Sequence, residues 1–378
     1  MIQRAASLRR LVNYAFLPQL GARPIATHAA SSLRLAGDLY SGEEIADIDW
    51  DNIGFGPKPT DYMYMTKFNQ DGTFEQGQLS PFGNIELTPQ AGVLNYGQGL
   101  FEGIKAYRRE TGGMFLFRPE QNGMRMKIGA ERMCMPSPPV EHFVEAVRQT
   151  AVANKRWIPP YGKGSLYVRP LLLATGPVLG VAPALDYTFL VYACPVANYF
   201  KEGSSLNLYV EDEYHRATRG GAGGVKSVTN YAPVLKAITR AKKRGFSEVL
   251  YLDSVHESYI EEASASNIFI VKGNVVSTPP ANGTILEGVT RKSIMDIARD
   301  LGFEVEERMI HIDELRSAEE VFCTGTAVGV CNVGSITYKG NRVEYKIGSV
   351  SQKLSSTLSG IQAGTVEDKK GWVMEIGQ

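Results

Sequence analysis

This 378-residue sequence contains few cysteines, no excess of either charge sign and no long hydrophobic run. The four cysteines are too few and too irregularly spaced for a disulfide framework or a zinc ribbon, which indicates reduced thiols inside a cell. The 40 basic and 40 acidic residues cancel, so no nucleic-acid partner is expected. No apolar run reaches the roughly 18 residues of a membrane span, so no membrane partner is expected either. The five histidines lack ligand spacing, and no metal site is predicted.

The composition is that of an ordinary soluble globular protein, with 43% hydrophobic and 21% charged residues. A chain of this length is expected to form about two domains, with a sizeable core and room for a cleft. Disordered, collagen-like and coiled-coil structures are therefore excluded for the main part of the chain.

The amino-terminal residues 1–37 differ in composition from the rest. They contain five arginines but no lysine and no acidic residue, whereas residues 38–53 contain six acidic residues and no basic one. An Arg-rich, acid-free stretch with Ala, Ser and amphipathic spacing is typical of an organelle transit peptide. We predict a transit peptide over 1–37 and a mitochondrial protein, with the plastid as the alternative. A merely basic, disordered tail is the other interpretation.

Strand-like and helix-like segments alternate along the first half of the remaining chain. A hairpin is predicted over 100–118, because the turn residues 111–113 separate two apolar segments. Two helices and two strands follow, at 119–133, 140–157, 165–173 and 187–194. The segment 196–205 contains Gly, Ser and Asn with weak periodicity. We predict that it links a small α/β domain, 45–195, to a large α/β domain, 206–378.

The second half mixes short strands, hairpins and helices. Strands are predicted at 206–210, 248–253, 267–271, 275–278 and 320–323. Helices are predicted at 232–244 and 290–300, followed by a hairpin around 339–341 and a final helix. Because hairpins are more frequent than strict βαβ units, the expected fold class is α/β of the mixed, α+β kind, not a doubly wound sheet.

A glycine cluster at 220–224 stands just before a lysine, Lys226. The spacing misses the phosphate-binding P-loop pattern by one position, because Val225 intervenes, so a nucleotide-hydrolysing enzyme is a weak interpretation. A partly desolvated lysine has a lowered pKa and becomes an amine nucleophile suited to Schiff-base chemistry. Taken alone, however, Lys226 is better explained as an exposed lysine on a flexible loop.

The residues that follow Lys226 strengthen the chemical interpretation. Tyr231 places a phenol five residues after the amine, and Glu262 places a carboxylate just before a predicted buried strand. The span from Glu262 to Arg291 resembles the signature of the class-IV pyridoxal-phosphate aminotransferases. Four other segments resemble the branched-chain aminotransferases of this family: 95–103, 116–119, 167–170 and 322–327. A fifth segment, 49–56, is similar to the plant-type members of that group.

This resemblance implies a two-domain fold-type-IV enzyme, similar to D-amino-acid aminotransferases in fold, with pyridoxal 5′-phosphate as cofactor. In such enzymes Lys226 would hold the cofactor as a Schiff base and move a proton at the reacting carbon. Glu262 would face the pyridine nitrogen and keep it protonated, and Tyr231 would bind the phenolic oxygen of the ring. The remaining cofactor-binding positions implied by the resemblance are Arg125, Leu286, Val289, Thr290, Gly325 and Thr326.

The resemblance also implies a substrate pocket for branched side chains. Its aromatic and aliphatic lining would comprise Tyr96, Phe101, Tyr167, Tyr199, Leu179 and Val181. Tyr96, Leu179 and Val181 would reach across to a partner subunit, so at least a homodimer is expected. The amides of Thr326 and Ala327 would bind the α-carboxylate of the substrate. Arg169 would accept the second carboxylate of glutamate, because a guanidinium can bind a carboxylate through two hydrogen bonds.

Simpler interpretations exist for single residues. Each pocket aromatic, considered alone, is better explained as a core residue, and Arg125 and Arg169 could be structural ion-pair arginines. Glu261 competes with Glu262 for the pyridine nitrogen, and strand alternation allows only one of them to face the cofactor. Some animal members have a Cys-x-x-Cys after the Gly-Thr-Ala motif, but here those positions are Val328 and Cys331. Whether Cys323 and Cys331 meet is left open.

The function expected from the resemblance is transfer of the amino group of Leu, Ile or Val to 2-oxoglutarate, giving branched 2-oxo acids and L-glutamate by a ping-pong mechanism. A D-amino-acid aminotransferase or an aminodeoxychorismate lyase would use the same lysine. The Tyr-x-Arg at 167–169 and the extended amino-terminal region argue against both. A non-catalytic binding protein is disfavoured because none of the catalytic positions is substituted. The choice between synthesis and degradation, and the preference among Leu, Ile and Val, are not determined.

Overall fold

The computed structural model describes residues 45–68, 71–197 and 205–377. The predicted transit peptide and most of the predicted linker lie outside these residues. Within these three ranges, two β-sheets and six α-helices are present, so the expected mixed α/β class is confirmed. In the described part of the chain, no helix is long and apolar enough to cross a membrane.

The first sheet has eight strands, all joined in antiparallel pairs. They are β1 (Tyr62–Lys67), β2 (Gln78–Pro81), β3 (Gly99–Phe101), β4 (Ile104–Arg108), β5 (Met114–Phe117), β6 (Ser165–Ala174), β7 (Tyr187–Val196) and β18 (Val373–Ile376). Their order is β18-β5-β4-β6-β7-β1-β2, and β3 also pairs with β6. The hairpin predicted over 100–118 is confirmed by the pairing of β4 with β5.

Three helices belong to this half: α1 (Gly92–Tyr96), α2 (Pro119–Arg132) and α3 (Val140–Ala153). Pro119 opens α2, where its missing N–H costs no helical hydrogen bond. The helix predicted over 140–157 ends earlier, at Ala153, and continues after Asn154 as a short 3-10 turn, Lys155–Trp157. Phe143, Val147 and Ala151 point into one hydrophobic core with the strands.

The second sheet has ten strands. They are β8 (Leu206–Glu211), β9 (Glu248–Leu252), β10 (Tyr259–Ala263), β11 (Asn267–Lys272), β12 (Val275–Thr278), β13 (Glu304–Glu307), β14 (Ile310–His311), β15 (Glu320–Gly325), β16 (Gly329–Tyr338) and β17 (Asn341–Glu344). The order is β13-β12-β11-β15-β16-β8-β9-β10-β14, with β17 on β16. One further pair, Glu262 opposite Asn267, joins β10 to β11 and closes a ring of strands.

Two helices cover one face of this sheet, and the other face forms a separate core. α5 (Val289–Asp300) and α6 (Ser349–Ala363) pack on Phe269 and Phe322, whose rings stack at a centroid distance of 5.0 Å. α4 (Leu235–Lys243) lies on β9, and Gly245 follows it with φ +86°, the left-handed conformation that favours glycine. The predicted helices at 232–244 and 290–300 are therefore confirmed, with α4 starting three residues later.

Cys323 and Cys331 lie directly opposite each other on β15 and β16. Both are buried and both are free thiols. Burial raises the pKa of Cys323 to about 12 and that of Cys331 to about 11, so both thiols keep their protons and are poor nucleophiles near neutral pH. The two cysteines therefore meet across a strand pair, which their spacing in the sequence did not reveal.

The last strand, β18, is not predicted by the sequence. It pairs with β5 of the first sheet, although residues 206–378 are expected to form the second domain throughout. Its four residues carry little pattern, and their position depends on pairing with a segment some 260 residues earlier in the chain. The division into 45–195 and 206–378 stays a prediction, to which this returning strand is an exception.

Candidate active site

Lys226 lies between the glycine cluster and a short 3-10 helix, Val228–Asn230. Its backbone carbonyl accepts a hydrogen bond from the amide of Phe101 at 3.1 Å, which fixes it to the end of β3. The ammonium lies 4.5 Å from the centre of the Phe101 ring and 3.4 Å from the hydroxyl of Tyr231. Burial, together with the nearby Arg125 guanidinium, lowers the pKa of Lys226 to about 7. The chain thus provides an amine that is partly unprotonated at neutral pH.

The glycines before Lys226 allow a close approach of two backbone segments. A Cβ atom on Gly223 would lie 2.6 Å from the carbonyl oxygen of Thr284, and the amide of Gly224 donates to the carbonyl of Gly283 at 2.8 Å. Only glycine fits at such a distance. This packing accounts for Gly223 and Gly224 without any bound phosphate, so the structure gives no support to the P-loop interpretation.

Glu262 is a buried carboxylate at the point where β10 meets β11. Its Oε1 accepts a hydrogen bond from the amide of Leu286 at 2.8 Å and lies 2.7 Å from Nη1 of Arg216. Its Oε2 accepts a longer bond from the side chain of Asn267, at 3.2 Å. Burial raises the pKa of Glu262, and the Arg216 guanidinium opposes this shift by favouring the carboxylate.

Glu261, the neighbour of Glu262, has a different set of contacts. Its Oε1 accepts a hydrogen bond from the hydroxyl of Thr284 at 2.6 Å, whereas Glu262 interacts electrostatically with Lys226. Neighbouring side chains on a strand point to opposite faces, so only one of the two carboxylates can share a site with Lys226. The geometry therefore favours Glu262 over Glu261 for a role beside the lysine.

Arg125 projects from α2 and is held by a buried carboxylate, Glu102. Its Nε donates to Oε1 of Glu102 at 2.8 Å and its Nη2 to Oε2 at 2.6 Å, while Asn122 donates to Oε2 at 2.8 Å. The third nitrogen, Nη1, donates to the carbonyl of Glu287 at 3.0 Å. Arg125 thus forms an ion pair, as expected for a structural arginine. The same ion pair orients the Arg125 guanidinium toward the loop that precedes α5.

The start of α5 offers unpaired backbone donors beside Arg125. No side chain caps this helix, so the amides of Val289 and Thr290 have no partner within it. A Cβ atom on the preceding Gly288 would lie 2.2 Å from Oδ1 of Asn267, which keeps this position free of a side chain. A guanidinium and a free helix N-terminus together form a site suited to a phosphate group.

The turn between β15 and β16 faces the same space as the start of α5. A cavity of about 810 Å³ is lined by both elements. The predicted positions that it brings together are Val289, Thr290, Gly325, Thr326 and Ala327. The predicted phosphate-binding and carboxylate-binding backbone groups therefore share one cavity.

Aromatic rings and a second arginine surround Lys226 on another side. The Phe101 and Tyr231 rings lie 4.8 Å apart, and the Arg169 guanidinium lies 4.9 Å from the Phe101 ring and 5.1 Å from the Tyr167 ring. The Nε of Arg169 is buried and has no hydrogen-bond partner among the described residues. The structure thus brings an unneutralised cation next to apolar surface, close to the reactive amine.

Three of the predicted substrate residues lie elsewhere on the chain surface. The Tyr96 hydroxyl donates to the carbonyl of Leu179, and the Leu179 and Val181 residues are 87% and 90% exposed. Leu185, a few residues further along the chain, is 83% exposed. Tyr199 lies within 198–204, outside the described residues.

Several residues that shape the site were not assigned a role from the sequence. Glu102 orients Arg125, and Arg216 and Asn267 hold Glu262. Phe55 packs on Tyr167, with ring centres 5.9 Å apart. Glu102 and Phe55 lie in segments that matched the family, but nothing in the sequence indicates which distant partner each side chain meets.

The donor set fits pyridoxal 5′-phosphate. A partly unprotonated amine, a phenol, a buried carboxylate and a guanidinium beside a free helix N-terminus match its aldehyde, phenolic oxygen, ring nitrogen and phosphate respectively. The phenol keeps its proton, because burial raises the pKa of Tyr231 to about 12. No cluster of three or more possible metal ligands occurs in the described segments.

Comparisons with known proteins agree with this donor set. Residues 99–336 match the family described as amino-transferase class IV. Over 355 residues the sequence is 64% identical to the chloroplastic branched-chain-amino-acid aminotransferase 2 of Arabidopsis thaliana, covering 92% of each chain. Over 353 residues it is 65% identical to the mitochondrial branched-chain amino acid aminotransferase 1 of Humulus lupulus, covering 92% of this chain and 90% of that one.

A solved structure shares the fold. The crystal structure of the T.th. branched-chain amino acid aminotransferase with pyridoxamine 5′-phosphate superposes with a TM-score of 0.71 at 28% identity. The match covers 85% of this chain and all of that one, which confirms the fold expected from the resemblance. The family match spans more than half of the sequence. The chain therefore belongs to the class IV aminotransferase family and is a pyridoxal-phosphate-dependent transaminase.

Proposed function

We propose that this protein transfers the amino group of L-leucine, L-isoleucine or L-valine to 2-oxoglutarate, forming branched 2-oxo acids and L-glutamate. The observation that carries this proposal is the position of Arg169. Its guanidinium lies against the Phe101 and Tyr167 rings and has no carboxylate partner among the described residues. A pocket of this kind offers apolar surface to a branched side chain and a cation to the side chain of glutamate.

The reaction divides among residues of this chain. When bound, pyridoxal 5′-phosphate supplies the electron-withdrawing ring that acidifies the Cα–H bond of the amino acid. Nζ of Lys226 would accept that proton and return it, because the amine is partly unprotonated at neutral pH. Glu262 would hold a proton at the ring nitrogen, and the Tyr231 hydroxyl would donate to the phenolic oxygen. Arg125 and the amides at the start of α5 would bind the phosphate.

The substrate would be oriented by two sets of residues. The amides of Thr326 and Ala327 would bind its α-carboxylate, as backbone donors do at anion-binding turns. Phe101 and Tyr167 would contact its side chain. Since one methylene in an apolar pocket changes the free energy of binding by only about 1–3 kcal/mol, Leu, Ile and Val are expected to react at similar rates.

Steady-state assays decide between this function and its rivals in the family. The holoenzyme should transaminate L-leucine, L-isoleucine and L-valine with 2-oxoglutarate, and should be inactive with D-alanine and aminodeoxychorismate. Activity with D-alanine or aminodeoxychorismate in place of the L-amino acids would overturn the proposal.

Replacing Arg169 with methionine should impair the acidic substrates selectively. Without the guanidinium, we expect KM for 2-oxoglutarate to rise by about tenfold or more, because a charge-assisted hydrogen bond is lost. KM for 4-methyl-2-oxovalerate, the keto acid of leucine, should change little. Comparing the two KM values in the same variant is the internal control. Equal losses for both keto acids would show that Arg169 is only structural.

The pKa of Lys226 also predicts how the apoenzyme takes up its cofactor. Because burial lowers this pKa to about 7, the amine is protonated below that pH and nucleophilic above it. The uptake rate of pyridoxal 5′-phosphate should rise as the pH increases through about 7 and then level off. Stopped-flow absorbance measures this rate. A rate that keeps rising toward pH 10.5, the ordinary pKa of lysine, would contradict the assignment.

The working form is proposed to be a homodimer. Between residues 179 and 185, three aliphatic side chains, Leu179, Val181 and Leu185, are more than 80% exposed, and another protein surface would cover them. The resemblance implies that Tyr96, Leu179 and Val181 complete the substrate pocket of a partner subunit. Sedimentation of the purified protein tests this: a dimer that separates on Leu179→Asp substitution is expected, and a stable monomer in the wild type would contradict it.

We also propose that the protein works in an organelle, with the mitochondrion favoured over the plastid. The relatives described above are a chloroplastic and a mitochondrial enzyme. Arginine-rich, acid-free residues 1–37 support import. Imaging the full chain with a fluorescent protein at its carboxyl end identifies the compartment, and a cytosolic signal would contradict the proposal.

A further inference from the structure

Lys105 is a buried lysine near the start of β4. Only 7% of its surface is exposed, and its ammonium makes no ion pair among the described residues. Its Nζ donates one hydrogen bond, of 3.1 Å, to the backbone carbonyl of Ala327. A buried ammonium without a counter-ion is unfavourable, and a strand core would ordinarily hold an apolar residue there.

The surroundings of Lys105 belong to the substrate side of the site. In the pairing of β4 with β6, Lys105 stands opposite Tyr167, so their side chains share one face of the sheet. The Tyr167 hydroxyl in turn lies against Gly103, where a Cβ atom would be only 1.9 Å away. The hydrogen bond from Lys105 therefore connects the β4–β6 strand pair, which carries Tyr167, to the turn that carries Ala327.

The cavity beside Lys105 lacks acidic side chains. Lys105 lines the 810 Å³ cavity together with Thr326 and Ala327, and no Asp or Glu is among its described lining residues. The other cation in this lining, Arg108, donates to the backbone carbonyls of Lys155 and Ile158, so it too contributes uncompensated positive charge. None of the described lining residues can serve as a counter-ion for Lys105, whereas a bound anion could.

We propose that Lys105 is a positioning residue for the α-carboxylate of the substrate. By binding the Ala327 carbonyl it fixes the turn whose amides, at Thr326 and Ala327, meet the carboxylate, and its charge attracts that group. This inference rests on the proposed function, which places the α-carboxylate at this turn.

The chemistry of the lysine supports such a role. Burial lowers the pKa of Lys105 to about 8, so the amine loses its charge more readily than an exposed lysine. A carboxylate nearby would favour the protonated form. Binding of the anion and protonation of the amine would therefore reinforce each other.

Binding of a leucine-shaped acid and of its neutral amide separates this role from a general structural one. 4-Methylvalerate has the leucine skeleton with a carboxylate and no amino group, and 4-methylvaleramide is its uncharged counterpart. In the Lys105→Met holoenzyme, calorimetry should show Kd for 4-methylvalerate about tenfold higher than in the wild type, with Kd for the amide unchanged. Lys105→Arg should retain most of the affinity, because it keeps a charged donor.

Two further variants complete the design. Lys105→Gln retains a donor without charge and is expected to lose affinity as Lys105→Met does, which covers the case in which methionine prevents folding. Lys67→Met removes an exposed lysine from β1 and should leave both Kd values unchanged. Equal loss of acid and amide binding in the Lys105 variants would overturn the proposal.

The cofactor phosphate is the other anion that this cavity could hold. The affinity of the apoenzyme for pyridoxal 5′-phosphate should be the same in Lys105→Met and the wild type if the α-carboxylate is the partner. A selective loss of cofactor affinity, with the ratio of acid to amide binding unchanged, would overturn the proposal. The proposed function has its own readout, because a wild-type enzyme that does not react with L-leucine refutes it whatever the Lys105 variants do.

Discussion

Replacing Lys226 with alanine should reduce the transamination of L-leucine at least about a thousandfold, because one residue both attaches the cofactor and moves the proton at Cα. The amine lies against Phe101 and Tyr231, and burial lowers its pKa to about 7. No other described lysine shares these contacts, so no neighbouring amine can replace it. The measurement is kcat with L-leucine and 2-oxoglutarate, together with the absorbance of the bound cofactor.

The Lys226→Ala variant is expected to fold, since the substitution removes a poorly solvated charge and leaves the backbone bond from Phe101 to residue 226 in place. Lys236→Ala is the matched control: this exposed lysine on α4 contacts the hydroxyl of Tyr214, and its loss should leave kcat unchanged. Substantial activity in Lys226→Ala would remove the basis of the mechanism and would favour a binding protein on this fold.

Replacing Glu262 with glutamine should lower kcat by about a hundredfold or more, because a neutral amide cannot hold a proton at the ring nitrogen. The same change leaves the buried Arg216 guanidinium without its carboxylate, 2.7 Å away in the wild type. Breaking a buried ion pair on one side costs about 3–5 kcal/mol in the free energy of unfolding. Both kcat and chemical denaturation should therefore change.

Two companion variants separate the catalytic effect from the structural one. Glu261→Gln changes the neighbouring buried carboxylate, which accepts from Thr284, and should leave kcat near the wild-type value. The double variant Glu262→Gln with Arg216→Met removes the unpaired charge and should recover stability without recovering kcat. If Glu261→Gln is the inactive variant and Glu262→Gln the active one, the assignment of the two residues is wrong.

Local pattern was sufficient for the main elements of the fold. Pro119 and the apolar spacing after Val140 predicted α2 and α3, and the turn at 111–113 predicted the hairpin of β4 and β5. These signals act within a few residues, where steric and hydrogen-bonding preferences of single side chains decide the outcome. The strand β18 could not be predicted in this way, because its place is set by β5 and not by its own four residues.

In the site, the sequence indicated the residues that would touch the cofactor but not those that hold them. The resemblance pointed to Arg125 and Glu262, whereas their partners Glu102 and Arg216 emerged only from the structure. Each pair joins residues more than twenty positions apart, so no local spacing encodes it. Lys105 is a similar case, since its partner Ala327 lies 222 residues away.

The role of the glycine cluster at 220–224 could not be read from the sequence alone. Its composition left phosphate binding as a weak interpretation, and the structure explains Gly223 and Gly224 by the close passage of residues 283–284. A glycine that accommodates a neighbouring backbone and a glycine that cradles a ligand look the same in a sequence. Distances between the segments were needed to tell them apart.

The absorbance spectrum of the purified holoenzyme tests the central claim most directly. With L-leucine alone, the band of the bound cofactor should shift to that of the pyridoxamine form, and 2-oxoglutarate should then restore it. This result requires the amine of Lys226, the cofactor and both substrate classes to act at one site. A spectrum that ignores L-leucine but responds to D-alanine, or a protein that binds no pyridoxal 5′-phosphate, would contradict the account.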